Sequence, residues 1–162
     1  MRKLIPGTLV TLTFLLFGCA APTGLAPVSG VEGQLLIPDS IFASGEVTAV
    51  ALIVLDRLDL DHVADHFITY SDPILPCESN IQCDSLNYFF IQLPPGAYLL
   101  LPVGLLIPPE KLVTDLDSIL VDPLPYIKLP GSTEQELLAA VKSVLIREKE
   151  IKALEYIWRI DL

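Results

Sequence analysis

The chain has 162 residues, with 10 Lys and Arg against 20 Asp and Glu, for a formal net charge of -10. Apolar residue classes make up 52% and charged residues 19%, a balance that excludes an intrinsically disordered chain. A sequence pI near 4.4 and the lack of any Lys/Arg cluster exclude a nucleic-acid binder, because phosphate neutralisation needs grouped cations.

Arg2 and Lys3 precede an apolar run from Leu4 to Phe17. A short positive head on an apolar stretch below about 20 residues predicts an export signal, not a membrane span. The run ends Leu16-Phe17-Gly18-Cys19, with Leu three places before the Cys and a small residue just before it. That pattern resembles the lipobox of bacterial lipoproteins. The resemblance implies that residues 1–18 are a signal peptide cut between Gly18 and Cys19, and that the Cys19 thiol carries diacylglycerol. Sulfur is the nucleophile that forms the thioether, and Gly18 leaves the peptidase room at the cut. Two or three acyl chains at about 0.8 kcal/mol per buried CH₂ hold a protein firmly, where one is marginal. Without the lipid, the same residues read as an ordinary cleaved signal or a buried apolar helix.

In the lipoprotein family, Ala20 after the Cys, in place of Asp, implies an outer-membrane anchor facing the periplasm. In a host with a single membrane, the address becomes the outer face of the cell membrane. Residues 19–29 read as a tether, with Pro22, Gly24 and Pro27 among small side chains. An acidic body is repelled by anionic lipid, so it is expected to stand off the bilayer on that tether.

Residues 30–162 read as one domain. Val31 to Ile37 partly alternates and stops at Pro38-Asp39, which predicts a strand and a turn. Val47 to Leu55 is almost continuously apolar and β-branched, so it predicts a strand buried on both faces or central to a sandwich. Between them and the next strand lies a polar knot from Asp56 to His66, read as a solvated amphipathic connection. Cys77 and Cys83 flank a polar, loop-like segment. With Cys19 lipidated in an oxidising compartment they form an even pair, and a local disulfide closing that short ring contributes about 2 kcal/mol. Free thiols are the alternative. Tyr88 to Leu93 predicts a third strand, Pro94-Pro95-Gly96 a tight turn, and Ala97 to Leu106 a fourth strand broken by Pro102.

The series Gly30-x-x-Gly33-x-Leu35, Val47–Leu55, then Asp84-x-x-Asn87-x-Phe89-x-Ile91-x-Leu93-Pro94-Pro95-Gly96-x-Tyr98-x-Leu100 resembles the carboxypeptidase regulatory-like module. It covers roughly residues 28–103 of the chain. The resemblance implies a transthyretin-like (prealbumin-like) β-sandwich, here mainly β with one or two additional helices. It also implies a hairpin across Pro94-Pro95-Gly96, with Tyr98 packing across the sheet.

Downstream, Leu112 to Val121 fits either a short helix or a strand, and Tyr126 to Leu129 predicts a short strand. Thr133-Glu134-Gln135-Glu136 is a capping box, and Leu137, Val141, Val144 and Leu145 then share one helical face, predicting a helix to about Arg147. From Leu154 to Leu162 apolar and charged residues alternate, predicting a terminal strand, with a helix through Trp158 as the competing reading.

Candidate sites are few. His62 and His66 stand at i, i+4, the spacing at which one helical face offers two imidazoles to a metal, with Asp59 or Asp61 as further ligands. The Glu that zincins need after the first His is replaced by Val63, so no metal and no other cofactor is expected, and a solvated segment is the plainer reading. Trp158 and the tyrosines could form a sugar platform, but on an alternating strand they read as core. No Gly-x-Ser-x-Gly elbow or phosphate loop is present, and no catalytic residue is expected. The function these readings support is a non-enzymatic lipoprotein, a structural or protein-binding module of the bacterial envelope held to the membrane by its lipid. Two alternatives stand beside it. Asp65-His66-Phe67 with Tyr70-Ser71-Asp72-Pro73 resembles small lipoproteins of type VI secretion systems, which implies a part in a secretion machine. A metal-dependent enzyme built on His62 and His66 is the other.

Overall fold

The structure is a computed structural model that describes residues 28–59, 61–76 and 85–162. The expected signal peptide, the expected cleavage and lipidation site at Gly18 and Cys19, and the Cys77–Cys83 pair lie outside the described residues. The described chain is mainly β, with two sheets and four short helices.

The first sheet is built on β1 (Gly30–Ile37). Its odd-numbered residues Val31, Leu35 and Ile37 are buried, while Glu32 and Leu36 turn outward, the period of two that a strand with one core face requires. The polypeptide then makes a single 3-10 turn, Asp39–Ile41, as the Pro38-Asp39 pair predicts. Along one side of β1 runs β4 (Ser85–Gln92), antiparallel, with Gly30 opposite Gln92 and Ile37 opposite Ser85. Along the other side lie two short parallel strands from the carboxyl end, β8 (Ile151–Ala153) and β9 (Trp158–Arg159). The alternation after Glu150 is therefore strand and not helix, but it is interrupted between the two pieces.

The second sheet is centred on β2 (Ala49–Leu55), all seven of whose residues are buried. Its antiparallel neighbours are β3 (Phe67–Tyr70) and β5 (Gly96–Leu105). The far side of β5 receives β6 (Ile127–Lys128) at one end and β7 (Lys142–Ile146) at the other. Even-numbered residues Val50, Leu52, Val54 and Leu100 face the first sheet and pack with Leu35, Phe89, Ile91 and Ile160. Odd-numbered residues Ala51, Ile53, Leu101 and Val103 face the other way, under the helices α1 (Val63–His66), α2 (Lys111–Thr114), α3 (Leu116–Val121) and α4 (Glu134–Ala140). β2 is thus buried on both faces because it has a sheet on one side and helices on the other. The one buried polar side chain among the described residues, Ser71, is satisfied: its hydroxyl accepts from the Leu52 amide at 2.9 Å and donates to the Asp72 carbonyl at 3.1 Å.

Three expectations are corrected. Pro94-Pro95-Gly96 does not close a hairpin, because β4 pairs with β1 and β5 with β2; it is the corner where the chain passes from one sheet to the other. Tyr98 braces that corner by donating to the Pro94 carbonyl at 3.0 Å, and its hydroxyl lies 2.9 Å from where a Cβ on Gly96 would stand, so a side chain at 96 would push Tyr98 out of this bond. Pro102 does not break β5. It falls between the stretch paired with β7, which ends at Leu100, and the stretch paired with β6, which begins at Gly104, where the missing N–H has no ladder to interrupt. The helix begun by the capping box ends at Ala140, not near Arg147. Lys142 to Ile146 instead joins the edge of β5, which buries Val144 and Ile146 and leaves Leu145 exposed. The polar connection from Asp56 to His66 ends in the short helix α1, and the edge strand β3 that follows it is not among the expected strands, although its Phe-Ile-Thr-Tyr is four good strand formers in a row.

Candidate functional site

The first sheet turns one face to the core and leaves the other uncovered among the described residues. On that outer face β4 presents Leu86, Tyr88 and Phe90, which are 53%, 62% and 41% exposed. Register sets each beside a residue of β1: Leu86 opposite Leu36, Tyr88 opposite Gln34, Phe90 opposite Glu32. The Tyr88 hydroxyl donates to the Glu32 carboxylate diagonally across the pair. That hydrogen bond, to a group already negative, pushes the Tyr88 pKa above the usual phenol value. The phenol is thereby held across the sheet as part of a small amphipathic surface.

β4 is also the end of its sheet. Among the described residues it pairs only with β1, so its other backbone edge has no strand beside it. Natural edge strands are usually short, charged or interrupted by proline, since an open ladder recruits other chains. β4 is eight residues long and carries no charge and no proline. The other edges are guarded: β3 lies between Asp65 and Asp72, the β8–β9 side carries Lys152, Glu155 and Arg159, and β6 and β7 are short and carry Lys128 and Lys142. Such an edge, flanked by exposed apolar side chains on alternate positions, has the chemistry for adding an extended segment as a further strand.

His62 and His66 are not brought together on one helical face. α1 starts at Val63, and His62 precedes it in a non-helical conformation. Each imidazole has its own carboxylate. His66 Nδ1 lies 2.8 Å from Asp56 Oδ1, tying the helix to the end of β2. His62 Nδ1 lies 3.6 Å from Asp59 Oδ1. Slight desolvation raises the Asp59 pKa, but the Asp61 amide and the neighbouring His62 outweigh it and leave the carboxyl below its ordinary value. Among the described residues no three His, Cys, Asp or Glu side chains are grouped to hold a metal ion. Trp158 is buried, with the Lys142 ammonium 5.7 Å from its ring centroid, so it belongs to the core and not to a sugar platform.

Tyr88 to Leu93 is legible as a strand in the sequence, but its place at the end of the sheet is not. From Ser85 to Pro109 no charged residue occurs. For β5, a central strand, that is expected. For β4 it is the one local sign that an exposed edge has been left open, and it becomes readable only once the pairing is known. Among the described residues no helix is long and apolar enough to cross a membrane. No family model, curated protein or solved structure matches the chain.

Proposed function

We propose that the protein is a bacterial envelope lipoprotein, anchored through lipid on Cys19, whose body is a transthyretin-like sandwich that binds an envelope protein along β4. The observation that carries the binding part is the uncharged edge of β4, beside which no strand lies among the described residues, with Leu86, Tyr88 and Phe90 exposed next to it. An extended segment of the partner adds to this edge, with backbone hydrogen bonds supplying affinity and the alternate apolar side chains supplying register. The anchor rests on the Leu16-Phe17-Gly18-Cys19 pattern. Its function in this arrangement is to hold the edge strand near the bilayer at the reach of a short tether. A bridge between Cys77 and Cys83 belongs to the same export reading.

Two experiments test the two halves separately. Metabolic labelling with palmitate is expected to mark the wild type and not Cys19→Ala; equal labelling of both removes the anchor. For the edge, a photo-crosslinking residue is placed at Tyr88 in living cells, with an identical probe at exposed Val113 on the helical side as control. A discrete adduct from the first position only, lost on Phe90→Lys in an otherwise folded protein, is the expected result. Adducts at both positions, or at neither, overturn strand addition at β4.

A further inference from the structure

The face of the second sheet that lies under the helices is incompletely filled. A cavity of about 390 Å³ opens between β2, β5 and the segment joining α3 to β6. Its inner wall is formed by Ile53, Leu55 and Leu101 from the sheet with Ile127, all buried. At its mouth stand Val121 and Leu124, 81% and 65% exposed, two aliphatic side chains that the fold leaves in water beside an apolar opening. A second, much smaller gap adjoins it and shares Ile53 and Ile127. Water inside such walls finds few hydrogen-bond partners, so an apolar guest of suitable size displaces it favourably.

The polar part of the rim has one sign. Asp61 and Asp122 line the cavity and no Lys, Arg or His does. Among the described residues neither carboxylate has an ion-pair partner. We infer that the cavity is a binding site for a small amphiphile with an apolar body and a cationic head, the body against Ile53, Leu101 and Ile127 and the head at Asp61 and Asp122. An anionic amphiphile would bring like charge to the rim, and a neutral one would bind through its body alone. The site lies under the helices of the second sheet, away from the outer face of the first sheet, and does not depend on the β4 reading or on the lipid anchor.

Three probes of one shape and three headgroups decide the matter: 4-phenylbutylamine, 4-phenylbutanol and 4-phenylbutyrate. Each is titrated calorimetrically into the full chain, with zwitterionic nanodiscs present in samples and blanks alike to cancel partitioning into lipid. The amine is expected to bind about tenfold more tightly than the alcohol, the sum of two surface-strength ion pairs, and the carboxylate more weakly than either. In the double variant Asp61→Asn with Asp122→Asn, both exposed positions, amine affinity is expected to fall to that of the alcohol while alcohol binding stays unchanged. Equal affinity for all three probes overturns the inference, as does amine binding that survives the double variant. So does the absence of binding by any probe at millimolar concentration.

Discussion

Leu100 and Leu101 are neighbours on β5 and enter two different interiors. Leu100, fully buried, lies between the sheets. Leu101, 2% exposed, lies under the helices and lines the cavity. The sheet–sheet layer is closed by long strands in continuous register, each supplying a side chain every second residue. The other layer is closed by helices of four to seven residues, and α1, α2, α3 and α4 each bury a single residue: Val63, Leu112, Ile119 and Leu137. One side chain per element cannot fill the groove between elements, so the space above Leu101 stays hollow. Two faces of one sheet therefore carry different properties, stability on one side and room for a guest on the other.

The largest expected effect comes from truncating these two leucines. Leu100→Ala leaves a new void in a close-packed layer and is expected to cost about 4–5 kcal/mol. Leu101→Ala enlarges an opening that already exists, loses mainly the transfer term, and is expected to cost about 2–3 kcal/mol. Urea titrations of both variants measure the difference, and equal costs would mean that the two layers are packed alike. A sharper form reverses the sign. Val54→Leu adds a methylene between the sheets and is expected to destabilise by about 1–3 kcal/mol. Val63→Leu adds the same group toward the cavity and is expected to stabilise by about 0.5–1 kcal/mol, the usual range for filling a void. The same pair tests the guest: Val63→Leu narrows the cavity and should weaken probe binding, which Val54→Leu leaves unchanged.

How much of this was legible beforehand depends on whether the deciding contact is local. β2 was readable because every residue from Ala49 to Leu55 is apolar, and only a strand covered on both faces tolerates that. The start of α4 was readable because its capping box lies within four residues. Its end was not. Leu137, Val141 and Val144 keep a helical spacing, yet the free edge of β5 offers Lys142–Ile146 five ladder positions, and pairing with a distant strand outweighs local periodicity. The same limit applies to the sites. The i, i+4 spacing of His62 and His66 offers only a weak metal candidate, and the partner that His66 takes, Asp56 at the end of β2 with its Oδ1 2.8 Å from the ring nitrogen, lies ten residues away and outside the helix. The edge of β4 is defined by the absence of a neighbouring strand among the described residues, which no window of sequence contains.

The smallest expected effect is at the rim of the helical layer, where the cap of α4 can be separated into two halves by pH. The Thr133 hydroxyl accepts from the Glu136 amide at 3.2 Å, and the Glu136 carboxylate accepts from the amides of Ser132 at 2.6 Å and Thr133 at 3.1 Å. Gly131, at φ 74°, leaves the space into which that carboxylate folds back. The Ser132 amide, then the Thr133 hydroxyl and amide, hold the Glu136 pKa below its ordinary value. A carboxyl with a lowered folded-state pKa contributes stability that is present above its unfolded pKa and is lost as pH falls through the folded one. Thr133→Ala is expected to cost about 1 kcal/mol at pH 7 and to keep more of that cost in acid than Glu136→Gln does, because the bond from the Glu136 amide to its hydroxyl does not titrate and only its share in the Glu136 shift is lost. Glu136→Gln should be less stable than wild type at pH 7, with the gap closing as pH falls below the ordinary carboxylate range. Melting curves of both variants from pH 7 to pH 3 check the pattern. A Glu136→Gln deficit that persists at the acidic end would overturn the charge account of this half of the cap, because protonated Glu and Gln are both neutral and nearly equal in shape.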